Sequence, residues 1–282
     1  MVSRSRSRAV GAEIRKLRTS AQLSLVDLAA RVGISKSTLA RMETGERVAS
    51  ETELALLLGA LGVPAQRRNE LLGMAQEVHR TNWVATGPAG IPAQLSMLLD
   101  YERTTVAISD VELALVPGLL QTRAYCRAVH VEGGAPPGEI ETRVAIRIGR
   151  QEILTRMDPV KLFAVIDEAV LHRIIGNREI TADQFRHLVR MSRRRNVNVQ
   201  ILPLASGVHK AIDGSFVLYE FTNETPVAHI ESPAAVVFID EPKAAAEFKA
   251  LAVAVRDQAL GQEESVEMIE RYVSALEGRE DG

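Results

Sequence analysis

The stretch LVDLAARVGISKSTLARMETGER, residues 25–47, decides the fold of the first part of the chain. Ser24 precedes it and is typical of a helix N-cap, because a serine hydroxyl accepts a hydrogen bond from a backbone N–H of the first turn. Gly33 stands where this helix must end, since glycine adopts a left-handed backbone conformation without a Cβ clash. Ser35 caps a second helix, which ends near Thr44. The stretch therefore predicts two short helices joined by a tight turn.

The spacing of apolar residues predicts which face of each helix is buried. Ala29 is a small residue at the expected contact, where two steeply crossing helices need space. Such a pair of helices is a helix-turn-helix. The predicted buried positions are Leu25, Leu28, Ala29 and Val32 in the first helix, and Leu39 and Met42 in the second.

The second helix presents a polar N-terminal turn that suits the major groove of DNA. Short hydroxyl donors and flexible cations match the acceptors on base edges, and a helix N-terminus also favours phosphate. We expect the base-reading residues to be Lys36, Ser37, Thr38 and Arg41, although Ser37 and Thr38 could contact phosphates only. The candidate phosphate contacts are Arg15, Arg18, Ser24, Ser35, Thr44 and Arg47. The alternative is that the motif serves as a protein-binding module.

The distribution of charge agrees with this expectation. Residues 1–80 hold 13 Lys/Arg and 8 Asp/Glu, a balance of +5 that leaves −7 for the rest of a chain with a net charge of −2. A basic region of this kind is the electrostatic footprint of a nucleic-acid partner, or an ordinary fluctuation. Arg4, Arg6 and Arg8 alternate with serines and predict a disordered arm, which either adds affinity for DNA or is a solvated tail.

Residues from about 10 to 75 resemble the lambda-repressor-like, or Xre-type, DNA-binding domain. The matching segments are GAEIRKLRTSAQLS, DLAARVGIS, STLARMETGER and ELALLLGALGVP. The family usually has a glutamine at the start of its second helix, where it braces the recognition helix against phosphate. This chain has Leu25 there, so phosphate binding must depend more on caps and arginines, or Leu25 packs against something else.

The remainder of the chain predicts a second, larger domain of mixed α and β structure. Helices at 52–61 and 64–79 complete an all-α, five-helix domain over residues 1–80, and the glycines and prolines of residues 81–93 predict a linker. Beyond it, helices are expected at 93–108, 120–130, 138–156, from Asp167, from Thr181, and at 242–260 and 264–277. The predicted strands are VKLFAVI, VNVQILP, GSFVLYEF, VAHIE and AVVFI. Short turns separate several of them, which favours an α+β domain over 94–282 with a mainly antiparallel sheet.

This second half resembles the C-terminal domain of actinobacterial WhiJ-like, or Scr-type, regulators. The segments that carry the resemblance are LVPGLLQTRAYCRAV, RIGRQEIL, FAVIDEAVLHRIIG, VNVQILPLASGVHKAIDGSFVLYEF and VAHIES, in that order. The resemblance implies a transcriptional regulator that is often paired with a small protein encoded beside it, in an arrangement likened to antitoxin and toxin. It implies no particular functional residues.

The second half offers few patterns typical of catalysis. Its histidines lack close ligand spacing, so neither a metal site nor a cofactor site is expected, and no phosphate loop or nucleophile motif is present. Asp167 and Glu168 are adjacent at a strand end and are typical of a helix cap and first turn. Cys126 is expected to be a small buried side chain. The loop SGVHKAIDG carries His209, Lys210 and Asp213, which could line a pocket or contact a partner, or form a plain hairpin connection.

Together these features predict a cytoplasmic regulator that binds double-stranded operator DNA as a homodimer and does not associate with membranes. Its second domain is expected to bind a small protein encoded by a neighbouring gene. The alternative is that this domain senses a small molecule. An enzyme with a DNA-targeting module is a weaker alternative.

Overall fold

A computed structural model describes residues 4–76, 83–86, 91–232 and 235–278. The chain forms two compact units that are discontinuous in sequence. The first unit contains residues 1–103 and 227–245, and the second contains residues 104–226 and 246–282. The two domains predicted from the sequence, residues 1–80 and 94–282, are instead each a single continuous segment. Residues 81, 82 and 87–90 of the predicted linker, and residues 77–80 at the end of the predicted first domain, lie outside the described residues.

The first unit begins with the helical region that contains the helix-turn-helix. Its helices are α1 (Arg4–Ser20), α2 (Leu25–Val32), α3 (Lys36–Glu43), α4 (Glu51–Ala60) and α5 (Ala65–Gln76). Helix α1 includes Arg4, Arg6 and Arg8, so the prediction of a disordered arm is wrong. Ser7 explains part of the order, because its buried hydroxyl donates to the Gly45 carbonyl at 2.8 Å.

The core of these helices contains the apolar residues that the spacing predicts. Leu28, Ala29, Leu39 and Met42 are buried with residues of α1, α4 and α5. Leu25 packs against the same core, which is one of the two alternatives that the sequence left open for it. Burial of these facing sides therefore holds α2 and α3 against the other helices of the region.

The first unit also contains elements from later in the sequence. These are β1 (Trp83–Thr86), α6 (Ile91–Thr104), β6 (Val227–Ser232) and β7 (Ala235–Ile239). Strand β7 pairs antiparallel with both β1 and β6. The segment predicted to be a linker thus contains a strand, because Val237 and its neighbours give Trp83–Thr86 a pairing partner that lies far away in sequence.

The second unit contains a mixed sheet in the order β5–β2–β3–β4. Strands β2 (Ala107–Glu112), β3 (Lys161–Asp167) and β4 (Val197–Leu202) run parallel, and only β5 (Phe216–Glu220) is antiparallel to β2. The predicted mainly antiparallel sheet is therefore corrected to a mixed one. The error arises because β2 is not among the predicted strands: the helix expected at 93–108 includes only its first two residues, and no element is expected at 109–112. Without β2, the parallel pairing between β2 and β3 is not recognisable from the sequence.

Helices connect and cover these strands. Helices α7 (Arg123–Glu132) and α8 (Pro137–Arg150) lie between β2 and β3, and α9 (Arg178–Ser192) lies between β3 and β4. Helices α10 (Pro242–Gln258) and α11 (Gln262–Glu277) follow the strands. The helix predicted from Asp167 is only a 3₁₀ turn over Glu168–Val170, which Asp167 caps through the Ala169 N–H. Cys126 is buried beside Val144, and burial raises the pKa of its thiol.

A close contact between α1 and α3 depends on Gly11 of α1. A Cβ placed there would lie 2.3 Å from the Met42 carbonyl oxygen at the end of α3. Gly59 of α4 provides the opposite case, because a Cβ there would meet no atom within 4 Å.

We predict that Gly11→Ala destabilises the protein by about 1–3 kcal/mol, the usual cost of overpacking. Gly59→Ala is the matched control and should stabilise it by about 0.5–1 kcal/mol, since alanine favours an exposed helix position. Urea unfolding of the full chain, followed by circular dichroism, measures both. A Gly11→Ala protein as stable as the wild type would show that α1 and α3 can separate without cost.

Candidate nucleic-acid interface

The turn between α2 and α3 is held by local hydrogen bonds. Ser24 accepts the Asp27 N–H at 3.1 Å, and the Asp27 carboxylate accepts the Ser24 N–H at 3.1 Å, which completes a capping box. The Ser24 hydroxyl also donates to Asp27 Oδ2 at 2.6 Å, and this bond, followed by the bond from the Ser24 N–H, lowers the pKa of Asp27. Gly33 follows α2 with φ +73° and donates its N–H to carbonyls of the last turn. The geometry predicted for this turn is present, and it places the N-terminus of α3 at the surface.

Hydroxyl groups cluster at the N-terminus of α3. Ser35 caps the helix by accepting the Thr38 N–H at 3.0 Å. Its Oγ also lies 2.9 Å from Ser37 Oγ and 2.8 Å from Thr38 Oγ1. Hydroxyl protons rotate, so these groups can exchange their mutual bonds for bonds to an external acceptor. The cluster is exposed at Ser35 and Ser37 and half-buried at Thr38.

Two cations accompany these hydroxyls on the exposed side of α3. Lys36 is exposed in the first turn, and Arg41 is exposed further along the helix. Arg41 Nε lies 3.9 Å from the exposed carboxylate of Glu46, a separation at which an ion pair in water holds a side chain only weakly. The structure therefore brings the four predicted base-reading residues onto one accessible helix.

Arg18, in contrast, lies inside the domain. Its Nε and Nη2 donate to the two Glu43 carboxylate oxygens at 2.6 and 2.9 Å, and its Nη1 donates to the Leu23 carbonyl at 2.8 Å. The Arg18 side chain is 11% exposed and that of Glu43 is 5% exposed. The bond to Glu43 raises the pKa of Arg18, which remains charged. All three guanidinium nitrogens are engaged inside the domain, where Arg18 joins α1 to α3, so we do not count it among the phosphate contacts.

The other candidate phosphate contacts occupy different environments. Arg15, Ser24, Ser35 and Thr44 are exposed. Arg47 is half-buried and donates to Glu53 at 2.8 Å, and this bond lowers the pKa of the Glu53 carboxyl. Arg47 thus has a competing partner within the protein, whereas the side chain of Arg15 projects from α1 into solvent.

Sequence reasoning overlooked the residues that position α3 from outside the motif. The Glu43 carboxylate accepts hydrogen bonds from the Arg18 guanidinium. Gly45 has φ +75° and lies against Arg8 of α1. A Cβ on Gly45 would lie 2.6 Å from Arg8 Cγ. A sequence signal for Glu43 did exist, since it follows the buried Met42 and belongs to the inward side of α3.

The three residues considered in the second half do not share one environment. His209 is buried, with Nε2 3.4 Å from Asp167 Oδ2, whereas Lys210 and Asp213 are exposed. The same loop carries exposed apolar side chains, with Leu204 54%, Val208 82% and Ile212 52% accessible. Lys210 and Asp213 accordingly lie in a surface loop with exposed apolar side chains, whereas His209 is buried near Asp167.

The described residues show neither a grouped set of metal ligands nor a membrane-spanning helix. Among them, no three or more His, Cys, Asp and Glu side chains are grouped to hold a metal ion. No helix in the same part of the chain is long and apolar enough to cross a membrane.

Comparison with known families divides the chain in two. Residues 9–71 match the model of a helix-turn-helix domain. Residues 95–271 match the model of a domain of unknown function, DUF5753, which covers more than half of the chain. No curated protein matches the chain.

We predict that Arg18→Ala lowers the free energy of unfolding by about 3–5 kcal/mol, because it leaves the buried Glu43 carboxylate without its cation. Arg15→Ala, one turn earlier and exposed, should change it by less than about 0.5 kcal/mol. Denaturant unfolding of both variants makes the comparison. If Arg18→Ala kept normal stability and lost only affinity for DNA, Arg18 would be a phosphate contact after all.

Proposed function

We propose that this chain, which belongs to the family defined by the domain of unknown function DUF5753, is a sequence-specific transcriptional regulator of the Xre type. The observation that carries the proposal is the exposed face of α3, where Lys36, Ser37 and Arg41 project from a helix whose opposite side is buried. A recognition helix needs this division between a fixed inner face and a polar outer face.

In this proposal the contacts divide into two classes. Lys36 and Arg41 donate to guanine acceptors in the major groove, with Ser37 and Thr38 beside them. Arg15, Ser24, Ser35 and Thr44 bind phosphates and fix the register, with Arg47 joining them when it exchanges Glu53 for phosphate.

We predict that Arg41→Ala costs about 1–3 kcal/mol of binding free energy on operator DNA and relaxes preference at one base position. Arg15→Ala should weaken binding to all sequences alike and reduce the dependence of affinity on salt concentration. Selection of bound sequences from a random pool, followed by titrations at several salt concentrations, tests both. Equal losses on operator and random DNA for Arg41→Ala would remove Arg41 from base reading.

We also propose that the regulator binds as a homodimer. One recognition helix reads too few base pairs for useful selectivity, and two-fold symmetry doubles the contacts over half-sites about one DNA turn apart. Light scattering at micromolar concentration, with and without operator, should give twice the mass of the chain. A monomer under both conditions contradicts the proposal.

The composition of the first unit supports regulation of DNA binding by the DUF5753 region. Helix α6, β6 and β7 belong to that region, yet they cluster with the helix-turn-helix helices. The Arg8 guanidinium lies 5.4 Å from the ring centroid of Tyr101 in α6, and Arg8 also lies against Gly45, just after α3. A displacement of α6 would therefore shift Arg8, and through Arg8 it would change the packing at the end of the recognition helix.

We further propose that the second unit binds a small protein encoded by a neighbouring gene, as the resemblance to WhiJ-like, or Scr-type, regulators implies. The C-terminal helix is a poor candidate for the contact, because Ile269, Val273 and Leu276 are buried within its own unit. The loop with exposed Leu204, Val208 and Ile212 supports the proposal better, since exposed apolar clusters commonly mark interaction sites.

We predict that Val208→Asp in the full chain weakens binding of the partner at least tenfold, because a carboxylate would be buried in an apolar contact. Met157→Asp is the matched control, as Met157 is fully exposed but precedes β3 and so lies at the opposite edge of the parallel strands. Co-purification and titration calorimetry measure the effect. A partner that binds both variants equally does not use this loop.

By thermodynamic reciprocity, a partner that weakens operator binding must itself bind less tightly when operator is present. Should the two proteins fail to associate at tens of micromolar, small-molecule sensing becomes the better account of the second unit. An open cleft in that unit favours this second candidate function.

A further inference from the structure

The second unit contains an open cleft of about 500 Å³. It lies where the turn after β3, the first turn of α9 and the last turns of α11 meet. The apolar lining residues are Leu171, Ile174 and Leu276, of which Ile174 is exposed and the other two are buried, and the polar lining residues are His172, Arg178 and Tyr272. A volume of this size is in the range of small-molecule sites, and apolar walls with a few fixed polar groups are their usual composition.

A hydrogen-bonded network holds two of these polar groups in place. Tyr272 Oη donates to Glu168 Oε1 at 2.9 Å and lies 2.6 Å from His172 Nε2. The other Glu168 oxygen accepts the Leu204 N–H at 2.8 Å. Because the phenol proton goes to the carboxylate, Nε2 of His172 must supply the proton between the ring and Oη. Burial, followed by the bond to Glu168, raises the pKa of Tyr272 to about 12, so the phenol is neutral at pH 7.

The tautomer assigned to His172 determines what its second nitrogen can do. A neutral imidazole that is protonated at Nε2 has an acceptor at Nδ1. This Nδ1 makes no hydrogen bond to any residue in the described part of the chain, and the His172 side chain is exposed. Because His172 lines the cleft, we infer that its Nδ1 is an acceptor suited to a hydroxyl or N–H of a ligand bound there.

Arg178 provides a fixed cation in the same cleft. Its Nε and Nη2 donate to the carbonyls of Leu276 and Ala275, at distances of 2.8 to 3.1 Å. These carbonyls end α11, where the negative end of the helix dipole favours a cation. Nη1 makes no hydrogen bond to any residue that the structure describes, so one donor of an immobilised guanidinium remains available. No carboxylate is found among the described side chains that line the cleft.

We propose that this cleft binds a small organic anion with a flat apolar body and a hydroxyl group, a hydroxylated aromatic carboxylate. The carboxylate pairs with Arg178, the rings lie against Leu171, Ile174 and Leu276, and the hydroxyl donates to His172 Nδ1. Pre-positioned groups lose little side-chain freedom on binding, which favours affinity. Binding of such a ligand does not depend on the function proposed for α3. An effect of the ligand on operator binding does rest on that proposed function.

The test is titration calorimetry on the full chain, without DNA, with three probes of one shape: 6-hydroxy-2-naphthoate, 2-naphthoate and 6-hydroxy-2-naphthamide. The hydroxynaphthoate should bind most tightly. Loss of the hydroxyl should weaken binding several-fold, and loss of the charge at least tenfold, since hydrogen bonds to charged groups are the stronger ones. Equal binding of all three probes, or no binding at millimolar concentration, overturns the proposal.

Variants then locate the site. Arg178→Gln should weaken hydroxynaphthoate binding at least tenfold, whereas Arg271→Gln should leave it within twofold. The control removes the same charge from an exposed position of α11 beside Tyr272 but outside the lining. Unchanged affinity in Arg178→Gln contradicts the assignment.

His172→Ala keeps the test decisive if Arg178→Gln fails to fold, because His172 is exposed. This variant should still bind 2-naphthoate and should lose the preference for the hydroxylated probe. A preference that survives in His172→Ala overturns the role of Nδ1. Because no DNA is present, these outcomes are separate from failure of operator binding, which would bear only on the function proposed for α3.

Discussion

The buried pair between Arg18 and Glu43 is the interaction on which the orientation of the recognition helix depends. It joins the end of α1 to the last turn of α3 through two hydrogen bonds, and a third bond from Arg18 fixes the Leu23 carbonyl before α2. Apolar contacts alone would hold the helices together, but they tolerate sliding more readily than directional bonds do. A buried ion pair contributes little net stability when its desolvation is counted, and we interpret this one as a device for geometric specificity.

The close approach of α1 and α3 complements this pair. Gly11 lets the backbone of α1 reach the Met42 carbonyl, and Gly45 accommodates Arg8 immediately after α3. Helix α1 therefore contacts the last residues of the recognition helix, Met42 and Glu43, whereas the polar side chains of its first turn are left to their own cap and to solvent. This asymmetry places rigid packing at one end and the exchangeable hydroxyls of Ser35, Ser37 and Thr38 at the other.

The second unit shows a comparable division between framework and surface. Parallel β3 and β4 end near Asp167 and Leu202, and the polar groups that follow them are each anchored. Asp167 lies beside buried His209, while Glu168 binds both Tyr272 and the Leu204 N–H. One strand end thus supports the apolar loop on one side and the wall of the cleft on the other. A ligand that shifts Tyr272 would act on Glu168, and through it on the loop that carries Val208.

The sequence by itself determined the features that depend on neighbours within about one helical turn. Ser24, Ser35 and Gly33 fix the ends of α2 and α3, because a cap bond spans three residues and a left-handed turn needs no distant partner. The 3.6-residue period placed Leu39 and Met42 inside and left Lys36 and Arg41 outside for the same reason. The strands β3 to β7 were also recognisable, since their runs of β-branched and aromatic residues are local patterns.

Only the tertiary structure decided the features that depend on pairing across long separations. Arg18 and Arg15 look alike in sequence, and the difference is the Glu43 carboxylate that lies 25 positions after Arg18. Residues 107–112 form a strand because β2 pairs with a strand on each side: Ile108 lies opposite Leu162 of β3 and opposite Tyr219 of β5. The crossover connections of the chain set the parallel direction of β3 and β4 and bring Tyr272 to Glu168. The local spacing of residues does not predict these connections. Hydrogen bonding and desolvation depend on which groups are adjacent in the folded chain. The ion pair, the strand pairings and the bond between Glu168 and Tyr272 therefore could not be predicted from local sequence.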